Sequence, residues 1–398
     1  MKYNLKNIYF IILCIISNPI FLIRFVKIKF IADSYIASIF FGLISIFFIL
    51  VFFGNIKKLT NIIKIIFIPF IIFSILFAVF TVSEYFSKIK LNANQNYSSK
   101  MSENFKLLFK EDKFSGYKLS NNFSDTISKK TNNNKVYKAF YKTDSLGRKE
   151  TYGNLNSDKN HLVFFGCSYT FGDGISNSKI FTQRLKNLLK EKSSVYNYGV
   201  PGYGTQQMLA KLQFGNIEKE ILQQNGKAIY VYVPGIISRN IGAFSTFGWS
   251  NIYPCYSLEN NKLKYFRSSV DAFPLRAKFF KIMNHFHLFR YLKINRNFDY
   301  PKINNEHIKL TSEMIIESKK IYQSKFKNSE FYVLIFPHLH SKDKNTETLK
   351  KHLLKDSIKI IDLSNFADTI LDKSIPLDGH PSENLHKEIS LEIFKILK

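Results

Sequence analysis

The sequence predicts an α/β domain on a parallel, doubly wound sheet, preceded by apolar helices of membrane-spanning length. Three observations carry this expectation. From His161 onward, short apolar runs of strand length alternate with longer amphipathic stretches. The first run, Leu162-Val163-Phe164-Phe165, passes straight into Gly166-Cys167-Ser168-Tyr169-Thr170-Phe171-Gly172, a turn rich in small residues. The chain has 398 residues, 40 of them Phe, and its apolar residues crowd into the first 86 positions.

Strands read at 162–165, 194–197, 228–233, 331–336 and 358–362. Helices read at 180–191, 206–224, 312–325, 345–354 and 383–397. Alternation of this kind makes parallel strands joined by crossover helices, with both faces of the sheet covered. An insertion at about 235–307 breaks the rhythm. It is aromatic and basic (Trp249, Tyr253, Tyr256, Phe266, Phe279, Phe280, Phe286) and too long for a structureless loop. It is expected to fold locally and to shape a pocket beside the strand ends. Upstream, 135–151 reads as a strand and a turn (Asp144-Ser145-Leu146-Gly147) leading into the domain. The stretch 87–134, rich in Asn, Ser and Lys, reads as a linker with some local structure.

Residues 1–86 read as a membrane anchor of two to three helices. The runs 35–53 and 65–83 have about the ~20 residues a bilayer span needs. The run 8–23 is shorter and contains Asn18-Pro19. A signal peptide is the alternative there, since Lys2 and Lys6 form a basic start, but no cleavage-site pattern follows. Lys2, Lys6, Lys57, Lys58 and Lys64 balance Arg24, Lys27, Lys29, Lys88 and Lys90, so charge does not choose the orientation.

The formal charge of +27 invites a nucleic-acid reading. The lysines are scattered among abundant Asn and Ile, however, and no zinc-finger, RNP or helix-turn-helix pattern occurs. Nucleic acid is therefore not an expected partner. The three cysteines, Cys14, Cys167 and Cys255, make no metal-ligand spacing and do not fix the redox compartment. His338 and His340 lack a third ligand. Gly199-x-x-Gly202-x-Gly204 is not the dinucleotide order, and no Gly-Lys-Ser/Thr occurs. Neither a metal nor a cofactor is expected.

Ser168 sits on a strand-to-helix turn, where open α/β sheets place their ligands and where a helix N-terminus favours a developing anion. A Ser/Gly turn without chemistry has the same local sequence. To act as a nucleophile, a serine needs a base, a group that orients the base, and donors for the oxyanion. His380, in Leu377-Asp378-Gly379-His380-Pro381, follows the last strand and supplies a base, with Asp378 to orient it. His338 and His340, after the preceding strand, are the rivals. The loop Asn197-Tyr198-Gly199-Val200-Pro201-Gly202-Tyr203-Gly204-Thr205 offers a backbone N–H at Gly202.

These blocks resemble the SGNH/GDSL esterases and acyltransferases. Phe165 to Gly172 is similar to the family's first block, with Cys167 where Asp is usual. Asn197 to Gly202 is similar to the second, and Asp378-Gly379-His380-Pro381 to the last, in the shorter Asp-x-His form of some relatives that acetylate exopolysaccharides. The third block departs: Pro234-Gly235-Ile236-Ile237-Ser238-Arg239-Asn240 has its Asn several residues late. The resemblance covers about 135–398. It implies a flavodoxin-like α/β/α domain, Ser168 as nucleophile, His380 as base, Asp378 as its partner, and Gly202 and Asn240 as oxyanion donors. It implies ester chemistry without a cofactor, on acylated surface glycans or lipids beside a bacterial inner or plasma membrane. The domain would lie on the extracytoplasmic side. Transfer of an acyl group to polysaccharide and a non-catalytic glycan-binding module are the alternatives. Nothing in the sequence sets the oligomeric state.

Overall fold

The computed structural model describes residues 79–91, 100–131, 134–151, 159–339 and 344–398. The expected spans at 8–23 and 35–53, and most of 65–83, lie outside them. Among the described residues no helix is long and apolar enough to cross a membrane. The chain forms two compact units, 1–93 with 286–292 and 94–285 with 293–398. In the first, a helix over 79–91 brings the Glu84 carboxylate to the backbone N–H groups of His287 and Leu288, at 2.5 and 2.7 Å. There it caps the short helix His287–Tyr291.

The second unit is organised by five parallel strands: β6 (Asn160–Gly166), β7 (Ser193–Gly199), β8 (Asn225–Tyr232), β11 (Ser329–Ile335) and β12 (Lys359–Asp362). Their spatial order is β12-β11-β8-β6-β7, all parallel. Counted along the sheet this is the flavodoxin order 2-1-3-4-5, and its switch point falls between β6 and β8. Strand β6 is buried on both faces, which is why it reads as an unbroken apolar run.

Helices α1 (Ser168–Phe171), α2 (Phe181–Leu189) and α3 (Thr205–Phe214) follow β6 and β7. Helices α4 (Ile236–Asn240), α5 (Phe244–Ser250) and α6 (Pro274–His285) belong to the insertion. Helices α7 (Asn305–Lys325), α8 (Lys344–Lys355) and α9 (Glu383–Leu397) complete the wrapping. Helix α2 packs with α9, whereas α7 packs with α3 and α8, which gives helices on both sides of the sheet. Two boundaries differ from expectation. The helix expected at 206–224 stops at Phe214, because Gly215 is extended and disfavours helix continuation; a short helix Ile217–Glu220 follows. The helix expected from 312 starts at Asn305, because Asn304 and His307 cap each other reciprocally.

The insertion folds locally, as expected. Beyond its helices it holds the hairpin β9 (Cys255–Glu259) and β10 (Lys262–Phe266). Phe244, Phe247, Ala277 and Phe280 form a small core of its own.

The linker reading is corrected for 100–131. This stretch forms β1 (Lys100–Met101), β2 (Phe109–Asp112), β3 (Gly116–Leu119) and β4 (Ser124–Thr131), and β4 pairs antiparallel with β5 (Asn134–Lys142). Leu108, Leu119, Phe123 and Ile127 pack with Phe171, Val200 and Tyr203 of the parallel-sheet loops. The polar composition concealed this because an antiparallel strand with one covered face needs few apolar residues. Within β4 only Ile127 is fully buried.

Candidate active site

Ser168 begins α1, with Cys167 as N-cap. Cys167 is fully buried and unpaired. The second loop presses against this turn: Val200 N–H donates to Gly166 O at 3.2 Å. A Cβ at Gly199 would lie 2.5 Å from the backbone nitrogen of Phe171, so only glycine fits there.

His380 and Asp378 reach the same place from the loop after β12. Ile375 N–H donates to His380 O at 2.8 Å, and Gly379 N–H to Ile375 O at 2.9 Å. With Gly379 at φ +86°, the chain turns tightly enough for two residues of spacing to point both side chains at one another. Ser168 Oγ lies 2.9 Å from His380 Nε2 and donates to it when the ring is neutral. His380 Nδ1 in turn donates to Asp378 Oδ1 at 2.5 Å. The Tyr169 ring packs edge-on against the imidazole, centroids 5.6 Å apart.

Burial would raise the carboxyl pKa of Asp378. Its bonds to His380 and to Lys129 outweigh burial and hold it well below the usual range. Lys129 Nζ donates to Asp378 Oδ2 at 2.5 Å, and only 1% of the Asp378 side chain is exposed. Burial would lower the imidazole pKa of His380. The Asp378 bond and the charges of Asp173 and Asp378 raise it above its ordinary value, with Lys129 opposing. Asp173 Oδ1 accepts from the Tyr141 and Tyr137 hydroxyls at 2.8 and 3.2 Å. Its Oδ2 faces His380 Nε2 at 4.0 Å.

The backbone N–H groups of Ser168 and Gly202 donate to no acceptor among the described residues. Asn240 is a correction. Both its amide donors are spent, on Thr205 Oγ1 at 3.1 Å and Thr311 Oγ1 at 3.0 Å, while its Oδ1 accepts from Thr205 N–H. It braces the start of α3 rather than offering a donor to substrate. His338 follows β11, with its backbone N–H on Ser364 O, and the place beside Ser168 belongs to His380. His340 lies outside the described residues.

Sequence reasoning missed Lys129 and Asp173. No spacing signal marks Lys129, which is one lysine among many in a polar strand. Asp173, in Gly172-Asp173-Gly174, was visible as a carboxylate five residues after the serine.

Neither a protein-family model nor a curated protein matches the chain. Solved structures are similar in part. A lipolytic G-D-S-L family protein from Veillonella parvula is 13% identical, covering 59% of this chain and 98% of its own, with a TM-score of 0.34. A variant of an acetyl xylan esterase from Geobacillus stearothermophilus is 12% identical over 59% of this chain and 93% of its own, at 0.34. A lipase from a goat rumen metagenome is 14% identical over 59% and 95%, at 0.32. Likeness at that level carries no functional argument, and the chemistry rests on the geometry of the site.

Proposed function

We propose that this chain is a membrane-anchored serine esterase of the SGNH type, with Ser168 as nucleophile. One observation carries the reading: Ser168, His380 and Asp378 form an unbroken hydrogen-bonded line, and the backbone N–H groups of Ser168 and Gly202 have no acceptor among the described residues. Ser168 Oγ bonds to the ester carbonyl carbon as its proton passes to His380 Nε2. The N–H groups of Ser168 and Gly202 hold the oxyanion. Collapse breaks the ester C–O bond, and His380 gives the proton to the departing alcohol. Water then attacks the acyl-serine, losing its proton to His380, which returns it to Ser168. A sugar hydroxyl in place of water gives acyl transfer by the same steps. Asp378 holds the ring and stabilises the imidazolium throughout.

The apolar runs at 35–53 and 65–83 support an anchor in a bacterial inner or plasma membrane, with the site outside and surface glycans or lipids as substrates. The test is covalent labelling of the full chain by a fluorophosphonate probe, with turnover of an acyl-nitrophenyl ester in parallel. Wild type is expected to label and turn over, and Ser168→Ala to lose both, with a rate loss of at least about 10³-fold. Equal labelling of the two proteins would overturn the assignment. A glycan-binding module without catalysis would show neither labelling nor turnover in wild type.

A further inference from the structure

We propose that Trp249 and Arg239, with the buried Tyr253 backing the indole, form a substrate subsite for a sugar ring carrying an anionic substituent. The proposal rests on the esterase reading and names the substrate class of that site. The Trp249 side chain, on α5, is 45% exposed while Phe244 and Phe247 of the same helix are buried. Its ring lies 5.6 Å from that of Tyr253, edge to face. A Cβ built on Gly202 would lie 3.5 Å from the Trp249 ring, so the indole lies against the turn that carries the free Gly202 N–H. Tyr253 and Tyr117 share a hydroxyl hydrogen bond of 2.8 Å, and Tyr117 donates to Pro201 O, tying the aromatic residues to that turn.

An exposed indole presents a flat apolar face that the C–H bonds of a pyranose can cover while its hydroxyls stay hydrated. Arg239 supplies the charge. Its guanidinium carbon stands 5.6 Å from the Trp249 ring centroid, and Nη1 donates to Tyr203 O at 2.8 Å. No carboxylate among the described residues pairs with it. Its remaining N–H groups form a planar fork suited to a carboxylate or phosphate on the ring.

Trp249 is the only tryptophan in the chain, so its fluorescence reports on this subsite directly. The full chain carrying Ser168→Ala, in detergent micelles, is titrated with trigalacturonate and with its neutral methyl ester. Trigalacturonate is expected to change the emission saturably, and the ester to bind at least about tenfold more weakly, a difference of about 1.4 kcal/mol. Adding Arg239→Gln should bring trigalacturonate down to the level of the ester, and Arg239→Lys should recover part of the gap. Equal affinity for acid and ester, or discrimination that survives Arg239→Gln in a protein with an unchanged melting curve, overturns the proposal. So does the absence of any saturable change while wild type still takes the fluorophosphonate label. Discriminating binding without labelling overturns the esterase reading instead and leaves the anionic-sugar subsite standing.

Discussion

The parallel sheet and the antiparallel layer before it contribute to the site in different ways. The reacting groups come from loops at the carboxyl ends of β6, β7 and β12. From 100–151, Lys129 on β4 bonds Asp378 and opposes protonation of His380, and Tyr137 and Tyr141 on β5 hydrogen-bond the Asp173 carboxylate that faces the imidazole; Lys149 lies just after. The parallel layer holds the atoms that make and break bonds together with the carboxylates that raise the imidazole pKa, Asp378 and Asp173; the antiparallel layer opposes them through Lys129. Each layer also brings one buried titratable group to the other, with opposite outcomes. Asp378 of the parallel unit meets Lys129, and Lys149 of the antiparallel layer meets only aromatic rings and the distant pull of Asp173.

The largest effect should follow from cutting the line inside the parallel unit. Asp378→Asn keeps the shape but presents the wrong hydrogen-bonding partner to Nδ1, and kcat should fall by about 10⁴-fold. Lys129→Met, from the other layer, should cost less, about 10–100-fold in kcat with KM little changed. Asp378 keeps its His380 bond and loses only the cation that helps it stay ionised. Because Lys129 lowers the His380 pKa, its removal should move the acid limb of kcat/KM to higher pH. A lysine with a purely structural role would lower Tm and leave that limb in place.

Asp173→Asn should move the same limb the opposite way. The Asp173 carboxylate favours the protonated imidazole, so without it His380 loses its proton at lower pH and becomes a competent base earlier in an acid-to-neutral titration. The rate at the plateau should change only a few-fold. A pH–rate profile for wild type and the two variants checks both signs at once. Shifts in the same direction would show that the two layers do not act through the charge of His380.

The parallel layer was legible in the sequence because its physics is local. A strand covered on both faces is an apolar run, and a catalytic turn follows it within two or three residues, as at Phe165 to Ser168 and again before Asn197 to Gly202. The antiparallel layer was not. Strand β4 buries one fully covered apolar side chain and exposes lysines, so its sequence, Ser-Asp-Thr-Ile-Ser-Lys-Lys-Thr, has the composition of a linker. What makes Lys129 important is Asp378, 249 positions away, and no local pattern encodes that pairing. Asn240 failed for the reverse reason. Its residue type fitted the oxyanion role, but the neighbours that spend its donors, Thr205 and Thr311, are brought to it by α3 and α7.

Lys149 gives the smallest expected effect on turnover and the cleanest measure of how far the two layers are independent. Its side chain is buried, and Nζ sits 3.7 and 3.8 Å from the ring centroids of Tyr141 and Phe171 with no hydrogen-bond partner. Each ring attracts a desolvated cation by about 2 kcal/mol, and Asp173 adds to that. Burial wins, and the amine titrates well below the ordinary lysine range. Between that lowered value and about 10.4, the unfolded chain binds a proton that the folded chain lacks, so this residue's contribution makes stability rise with pH across the window. Lys149→Met should remove that slope. It should also raise stability at neutral pH by about 1–3 kcal/mol, the usual cost of an unsatisfied buried polar group, with kcat essentially unchanged. Thermal unfolding of the full chain at several pH values reads the slope, and ester turnover reads the rate. If Lys149→Met instead lowers Tm and slows turnover together, the ammonium is charged in the fold and the rings hold it, and the antiparallel layer supports Phe171 and the Ser168 turn through a cation rather than through packing.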